Sequence, residues 1–372
     1  MKNSAIDEIG QEKCTGCFGC FNSCNVGAIS MEISKEGFYY PLINDGKCVS
    51  CGKCNNNCPV ISFKSDNYDK DKIKAYAGYT LDEDIRMESS SGGIFSELAN
   101  YVLEQYGVVF GAKWNKNIKV NHSKVCNKQD LKELRSSKYV QSNIGNVYKN
   151  VLEELDRNKK VLFVGVPCQV AALKTFTQSE SLIAVDLICH GVPSMKVFES
   201  YLQSKSRNKK VNSVNFRDKS KGWTKYCTKI SFEDGSQYLK ITREDPFFHG
   251  FICDLYLNSS CYDCKFASIP RSGDITIADF WQIDEELMDE RGISLILTNN
   301  EKGENIIKEL VKNNKIEIFE KTLEDALKGN PRIKNGHLRM RDKREECLRN
   351  IEEEGFEEIS KKYIVNLKRY VY

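Results

Sequence analysis

The sequence predicts an α/β chain, α+β when taken whole: a small cysteine-rich N-terminal domain followed by an α/β domain with a partly parallel sheet. Three observations predict it. Residues 1–60 carry the spacing C-x2-C-x2-C-x3-C twice. Between Val161 and Gly191, VLFVGVPCQVAALKTF is followed at once by LIAVDLICHGVPS. In each half an apolar, β-branched run breaks at Gly or Pro, passes a cysteine and continues into a helical pattern. Farther on, VNSVNFRD and TKISFEDG alternate with the period of an exposed-face strand. At 372 residues the chain is long enough for two or three domains. The divisions fall at 1–60, a linker over 61–72, two parts of one larger region at 73–150 and 151–330, and a charged helical tail over 331–372.

In the first part, Cys14, Cys17, Cys20 and Cys24 form one spacing unit and Cys48, Cys51, Cys54 and Cys58 the other, with Pro59 after the last. Three thiolates two residues apart wrap one cubane, while the fourth is carried off by the next turn and reaches the other cluster. The repeat predicts two 4Fe-4S clusters, one on Cys14, Cys17, Cys20 and Cys58 and the other on Cys48, Cys51, Cys54 and Cys24. Gly16, Gly19 and Gly52 allow backbone amides to turn toward the sulfurs. Zinc is the rival, but it favours two separated C-x2-C pairs, and three cysteines within seven residues do not divide that way. AISMEIS and GFYYPLIN read as short strands between the halves. These sixty residues resemble a bacterial two-cluster ferredoxin domain. Asn25 stands where that pattern usually has proline, a departure that removes no ligand.

Polar SDNYDKDK reads as linker, and IKAYAGYT as a strand. SSSGGIFSELANYVLEQYG then begins a helix whose N-terminus offers free amides. Ser90, Ser91, Gly92 and Gly93 are candidates for holding a cofactor pyrophosphate, with an ordinary serine N-cap as the alternative. VVFGAKW reads as a strand and VYKNVLEELDRNKK as an amphipathic helix. Between them LRSSKYVQS offers Arg135, Lys138, Tyr139 and Gln141, a cationic and aromatic loop that suits phosphates or a flavin face, or an exposed polar turn. Lys138 is the candidate catalytic group of this loop.

Parallel strands need helical crossovers of one hand, so Cys168 and Cys189 belong at the carboxyl edge of the sheet, where open α/β sheets bind ligands. Cys261 and Cys264 form a C-x2-C pair that completes four thiolates, the count a third 4Fe-4S cluster requires. Cys253 as a substitute ligand and a structural zinc site are the rivals. DITIADFWQID reads as a buried strand ending in Asp279, Phe280 and Trp281, suited to a flavin ring or to a core. His190, beside Cys189, is placed to donate a proton or to be satisfied by backbone. Cys126, Cys227 and Cys347 read as core thiols.

A formal charge of +3, from 55 basic against 52 acidic side chains mixed throughout, leaves no nucleic-acid footprint. The N-terminal MKNSAIDEIGQEK has no apolar h-region, and no run approaches the ~20 apolar residues of a membrane helix. Reduced thiols and a cytoplasmic protein are the expectation.

The order SSSGG, SKYVQS, VLFVGVPCQV, DLICHGVPS, CYDCKF and DITIADFW resembles the beta subunit family of coenzyme F420 hydrogenases and dehydrogenases, over residues 72 to 325. The resemblance implies an FAD protein that passes electrons between iron-sulfur clusters and a small-molecule hydride donor or acceptor, with ferredoxin or a redox subunit as partner. It places the FAD motif on Ser90 to Gly93 and cluster ligands on Cys168, Cys189, Cys261 and Cys264. Tyr139 and Trp281 are taken as flavin contacts. Gln282 and Ala267 depart from the family's usual glycine and lysine, which leaves the substrate open. An electron-transfer subunit without a substrate site of its own is the second reading.

Overall fold

The computed structural model describes residues 4–63, 73–334 and 339–365. The SDNYDKDK segment lies outside them. In the N-terminal part, α1 (Ala5–Lys13) and α2 (Gly19–Ser23) precede an antiparallel hairpin of β1 (Ile29–Ile33) and β2 (Tyr39–Ile43), and α3 (Lys53–Asn56) follows. Ser4 and Asp7 cap α1 reciprocally, which satisfies two backbone donors at its start.

The larger region is built on eight strands, and its chain order runs β3 (Lys74–Thr80), β4 (Val108–Trp114), β5 (Val120–Val125), β6 (Val161–Gly165) and β7 (Leu182–Leu187). A separate antiparallel sheet of β8 (Val211–Asp218), β9 (Cys227–Phe232) and β10 (Gln237–Ile241) intervenes before β11 (Ile275–Asp279), β12 (Ser294–Thr298) and β13 (Ile316–Lys321) complete the first. The spatial order is β13-β3-β12-β11-β7-β6-β4-β5. Strands β4, β6, β7 and β11 are mutually parallel, whereas β12 is antiparallel to both β11 and β3. It follows that β3 runs with the parallel set. The carboxyl ends of five strands therefore share one edge.

Every residue of β6 is buried, as are the first five of β7, which is why these read as unbroken apolar runs and sit centrally. The pleat divides them. Leu162 and Val164 join Ile183 and Val185 in a core under α4 (Glu83–Glu88) and α5 (Ile94–Leu103), where Ile94, Leu98 and Val102 pack. Leu131 of α6 (Lys128–Leu131) joins that same core, whereas Val161 and Phe163 face the opposite layer, which holds α7 (Val147–Asp156), α8 (Pro167–Lys174), α9 (Met195–Ser206) and α10 (Pro246–Ile252). On the first face α11 (Glu301–Lys312) lays Ile306, Ile307 and Leu310 into the core, and α12 (Leu323–Gly329) closes the far end.

The N-terminal part shares this second core: Cys14, Cys17, Phe18, Phe38, Tyr39 and Tyr40 pack in one cluster with Val161 and Phe163. Backbone bonds lock the contact. The Tyr39 amide donates to Gln141 Oε1 at 2.9 Å, Asn22 Nδ2 to the Gly145 carbonyl at 2.9 Å and the Met195 amide to the Gly37 carbonyl at 3.1 Å. Gly16 sits at φ 61°, and a Cβ there would lie 2.5 Å from the Tyr39 carbonyl oxygen, so only glycine fits. The charged tail forms α13 (Arg344–Ile359), which packs on α9 and buries Cys347, Leu348 and Ile351. Arg344 ties it back to the hairpin, with Nη1 3.1 Å from Glu36 Oε1 and Nε 2.7 Å from the Leu257 carbonyl. No helix among the described residues is long and apolar enough to cross a membrane.

Candidate functional site

Three groups of thiols stand out. Cys14, Cys17, Cys20 and Cys58 line a small cavity closed by Ala5, Ile9 and Val60. Burial pushes the Cys14 thiol up to about 12 and that of Cys17 to about 11, and the thiols raise one another further. The backbone N–H groups of Gly16 and Gly19 act in the opposite sense, as donors that favour thiolate. Four buried thiols that disfavour their own charge are a set a cationic metal centre would deprotonate. Cys24, Cys48 and Cys54 are half-buried and Cys51 is exposed. The Ala28 amide donates to Cys24 Sγ at 3.2 Å, α2 packs on α3, and Cys54 is close enough to raise the Cys58 thiol.

The third group assembles from three distant segments. Cys168 starts α8, where Pro167 holds the first helical position; Cys189 stands just past β7; Cys261 and Cys264 lie on the turn after Asn258. Burial raises Cys168 well above an ordinary thiol, and the charges that add to it are those of Cys17, Cys264, Cys189 and Cys261 in that order. The four thus lie within electrostatic reach of one another, and Cys168 faces Cys17 of the first group. Burial holds Cys189 at about 11. Cys253 is fully buried elsewhere, and the charged groups acting on it are Arg339 and Asp254. No three His, Cys, Asp or Glu side chains among the described residues form a site for a single metal ion.

Beside these thiols, at the carboxyl edge, the large sheet faces β8. Arg217 of β8 crosses the gap: Nη1 lies 2.9 Å from Asp279 Oδ2, Nη2 also bonds Asp279 and donates to the Ser90 carbonyl at 2.7 Å, and the guanidinium stacks 3.9 Å over Tyr226. Trp223 Nε1 donates to Asp279 Oδ1 at 2.8 Å, and its ring lies parallel to that of Trp281 at 4.8 Å. Tyr139 packs among Phe216, Phe248 and Phe251, its hydroxyl 3.3 Å from Arg217. Among the described residues Arg217 Nε is buried without a partner. Residues 136–139, 187–192 and 278–279, with Ser90 and Trp281, are half-buried at this edge.

The serine–glycine loop is tightly engaged. Ser91 Oγ donates to the Ile293 carbonyl at 2.6 Å and the Gly92 amide to Ser294 Oγ at 2.9 Å. A Cβ on Gly92 would meet the Gly78 carbonyl oxygen at 2.4 Å, so this glycine serves close packing on β3. Gly93 stands at φ 87° as the N-cap of α5, and no side chain caps that helix. Lys138 Nζ donates to the carbonyls of Arg135 at 2.8 Å and Ser136 at 3.0 Å, and desolvation lowers it to about 7. His190 Nε2 lies 2.8 Å from Asp254 Oδ1 and 3.1 Å from the Phe251 carbonyl; burial lowers its pKa, against the pull of Asp254.

The groups that sequence reasoning missed are Arg217, Lys219, Asp254, Arg271 and Arg332. Each is a charged residue on a strand, a loop or, for Arg332, a short 3-10 turn, where a solvated position is the default. The only local signal was Arg217 within NFRD, an ion inside an otherwise alternating strand.

Comparison with known proteins gives three findings. No curated protein matches. A solved structure of the F420-reducing NiFe hydrogenase complex from Methanosarcina barkeri, in a xenon-derivatised form, contains a chain with the same fold. That likeness has a TM-score of 0.51 at 18% identity, over 73% of this chain and 93% of that one. Family models match twice, a 4Fe-4S dicluster domain over residues 13–61 and the C terminus of the coenzyme F420 hydrogenase/dehydrogenase beta subunit over residues 158–324. The chain thus joins an iron-sulfur 4Fe-4S dicluster domain at residues 13–61 to a region, 158–324, that is similar to the C terminus of the coenzyme F420 hydrogenase/dehydrogenase beta subunit.

Proposed function

We propose that the protein is an iron-sulfur flavoprotein oxidoreductase that moves electrons between a hydride-carrying small molecule, bound in a groove bordered by the half-buried residues at the carboxyl edge, and the N-terminal clusters. The observation that carries this reading is the gathering of Cys168, Cys189, Cys261 and Cys264 beside Cys17. In it, Cys14, Cys17, Cys20 and Cys58 hold one 4Fe-4S cluster, Cys24, Cys48, Cys51 and Cys54 a second, and the edge thiols a third. Four cysteine thiols gathered from three segments supply the ligand count of a 4Fe-4S cluster.

FAD is the group assigned to the groove, where it would supply the exchange between two-electron hydride chemistry and one-electron transfer. Two observations support the fit: among the described residues Arg217 Nε is buried without a partner, and no side chain caps the α5 N-terminus. In this reading Gly93 and the α5 amides hold the pyrophosphate while Ser90 to Gly92 brace that turn. Tyr139 and Trp281 border the ring. His190, fixed by Asp254, holds or passes a proton at Nδ1, the nitrogen left free of both partners. Lys138 orders its own loop through three carbonyls and acts on substrate only after releasing one. The solved hydrogenase makes coenzyme F420 the first carrier to try.

Anaerobically purified protein is expected to contain one FAD and about twelve irons per chain, three clusters of four. Eight irons without flavin would sink the groove half of the reading. The second reading, a wiring subunit for a partner oxidoreductase, is favoured by the engaged state of Lys138, Ser91 and Gly92. Bleaching of bound flavin by a hydride donor decides between them: no donor bleaching it favours the wiring role.

A further inference from the structure

The thiols at the sheet edge are flanked by two buried guanidinium groups that the first N-terminal set lacks. Arg271 spans the two loops that carry the ligands, donating from Nη1 to the Phe266 carbonyl at 3.2 Å, two residues past Cys264, and from Nη2 to the Leu187 carbonyl at 3.0 Å, two residues before Cys189. Asp186 holds it at 3.3 Å while accepting the amides of Ser272 and Gly273, so the carboxylate is shared and the guanidinium is fixed. Arg271 is 7% exposed and its Nε has no partner among the described residues.

Arg332 approaches from the other side. Its Nη2 lies 2.6 Å from Asp254 Oδ1, the same oxygen that meets His190 beside Cys189, and the Asp254 carbonyl accepts the hydroxyl of Tyr262, which sits between Cys261 and Cys264. Arg332 lies beyond the matched family region, which ends at residue 324. By contrast, among the described residues no charged side chain lines the small cavity of Cys14, Cys17, Cys20 and Cys58.

Cluster reduction adds one negative charge, and buried positive charge or a spare N–H donor beside the sulfurs favours it. We propose that Arg271 and Arg332 make the cluster on Cys168, Cys189, Cys261 and Cys264 more easily reduced than its neighbour on Cys14, Cys17, Cys20 and Cys58. The arginines are positioning residues that act through field and hydrogen bonding. An electron then leaves the first N-terminal cluster and arrives on the edge cluster downhill, one oxidised and one reduced, with no bond made or broken. The chain is thereby biased toward delivering electrons into the groove, to reduce an organic substrate.

The proposal rests on the third cluster assigned above, and the test separates the two. Full-length holoprotein is titrated electrochemically under argon with the reduced clusters followed by electron paramagnetic resonance, in wild type, Arg332→Gln, Arg332→Lys and Arg271→Gln. Iron analysis comes first: wild type with eight irons defeats the third cluster itself. With about twelve irons, each Gln variant is expected to lower the reduced-to-oxidised ratio of one cluster at least tenfold at fixed potential, about 59 mV for a one-electron couple. That cluster should be the more easily reduced of the adjacent pair in wild type, and Arg332→Lys should restore most of the shift. Unmoved midpoints at full iron content overturn the proposal. So does loss of four irons in the Gln variants, which assigns the arginines to folding of the loops.

Discussion

The hydroxyl of Tyr148 lies 2.8 Å from the carbonyl oxygen of Cys17 and is fully buried there, 3.1 Å from that of Gln169 as well. One side chain thus touches the backbone of a loop from the N-terminal part and the residue after Cys168. Tyr148→Phe leaves two buried acceptors without this donor and is expected to cost about 1–3 kcal/mol. Anaerobic denaturant unfolding measures it, and a variant as stable as wild type would show the contact to be idle.

Arg217 joins the two sheets by pairing with Asp279. Removing one partner of a buried ion pair strands the other, so Arg217→Gln is expected to destabilise by about 3–5 kcal/mol. Lysine lacks the two-pronged fork and should not rescue it. Because Trp223 bonds the same carboxylate and stacks on Trp281, tryptophan fluorescence should report the change directly. Flavin content should fall with it.

Cys264→Ser removes one edge thiol and should lower iron from about twelve to about eight per chain while leaving the N-terminal clusters' spectra in place. Gly16→Ala should do the reverse. It forces a side chain against the Tyr39 carbonyl and Gln141, displacing the loop that carries Cys14 and Cys17. Iron analysis of the two variants side by side checks both.

Lys219 supplies a pH test. Its ammonium is enclosed by the carbonyls of Arg86, Ser91 and Arg291, and burial, then Arg217, lowers it to about 7. The unfolded chain, with an ordinary lysine, binds more protons between pH 7 and about 10.4, so this group makes stability rise with pH across that window. Below pH 7 both states are protonated and its contribution is flat, at its least favourable value. Lys219→Met should therefore reduce the upward slope of unfolding free energy between pH 7 and 10, and an unchanged slope would contradict the shift.

The elements legible in the sequence were those whose pattern is local. Both halves of the central repeat form strand and helix as expected, since β6 and β7 are buried on both faces and need no alternation. The pair β8–β9 was legible for the opposite reason, an alternating pattern, and the hairpin β1–β2 as two short strand-like runs. What stayed hidden was order in space. SLILT looks like any apolar pentapeptide, yet as β12 it runs against the grain between β3 and β11, a pairing made with residues far along the chain. The same limit applied to the site. Cysteine spacing announces a ligand because its geometry is written within a few residues, whereas the role of Arg217, Arg271 or Asp254 exists only once remote strands have closed around it. The serine–glycine loop was legible as a special turn, but the demand for glycine at position 92 comes from the Gly78 carbonyl across the sheet.

The N-terminal hairpin and the large sheet are welded through Phe18, Tyr39 and Tyr148 into a single interior. The spacing between sulfur centres is accordingly set by solid packing, with no swinging arm to wait for. Internal hopping should be indifferent to solvent viscosity, and grafting this cysteine-rich piece onto another carrier would require transplanting its seat as well.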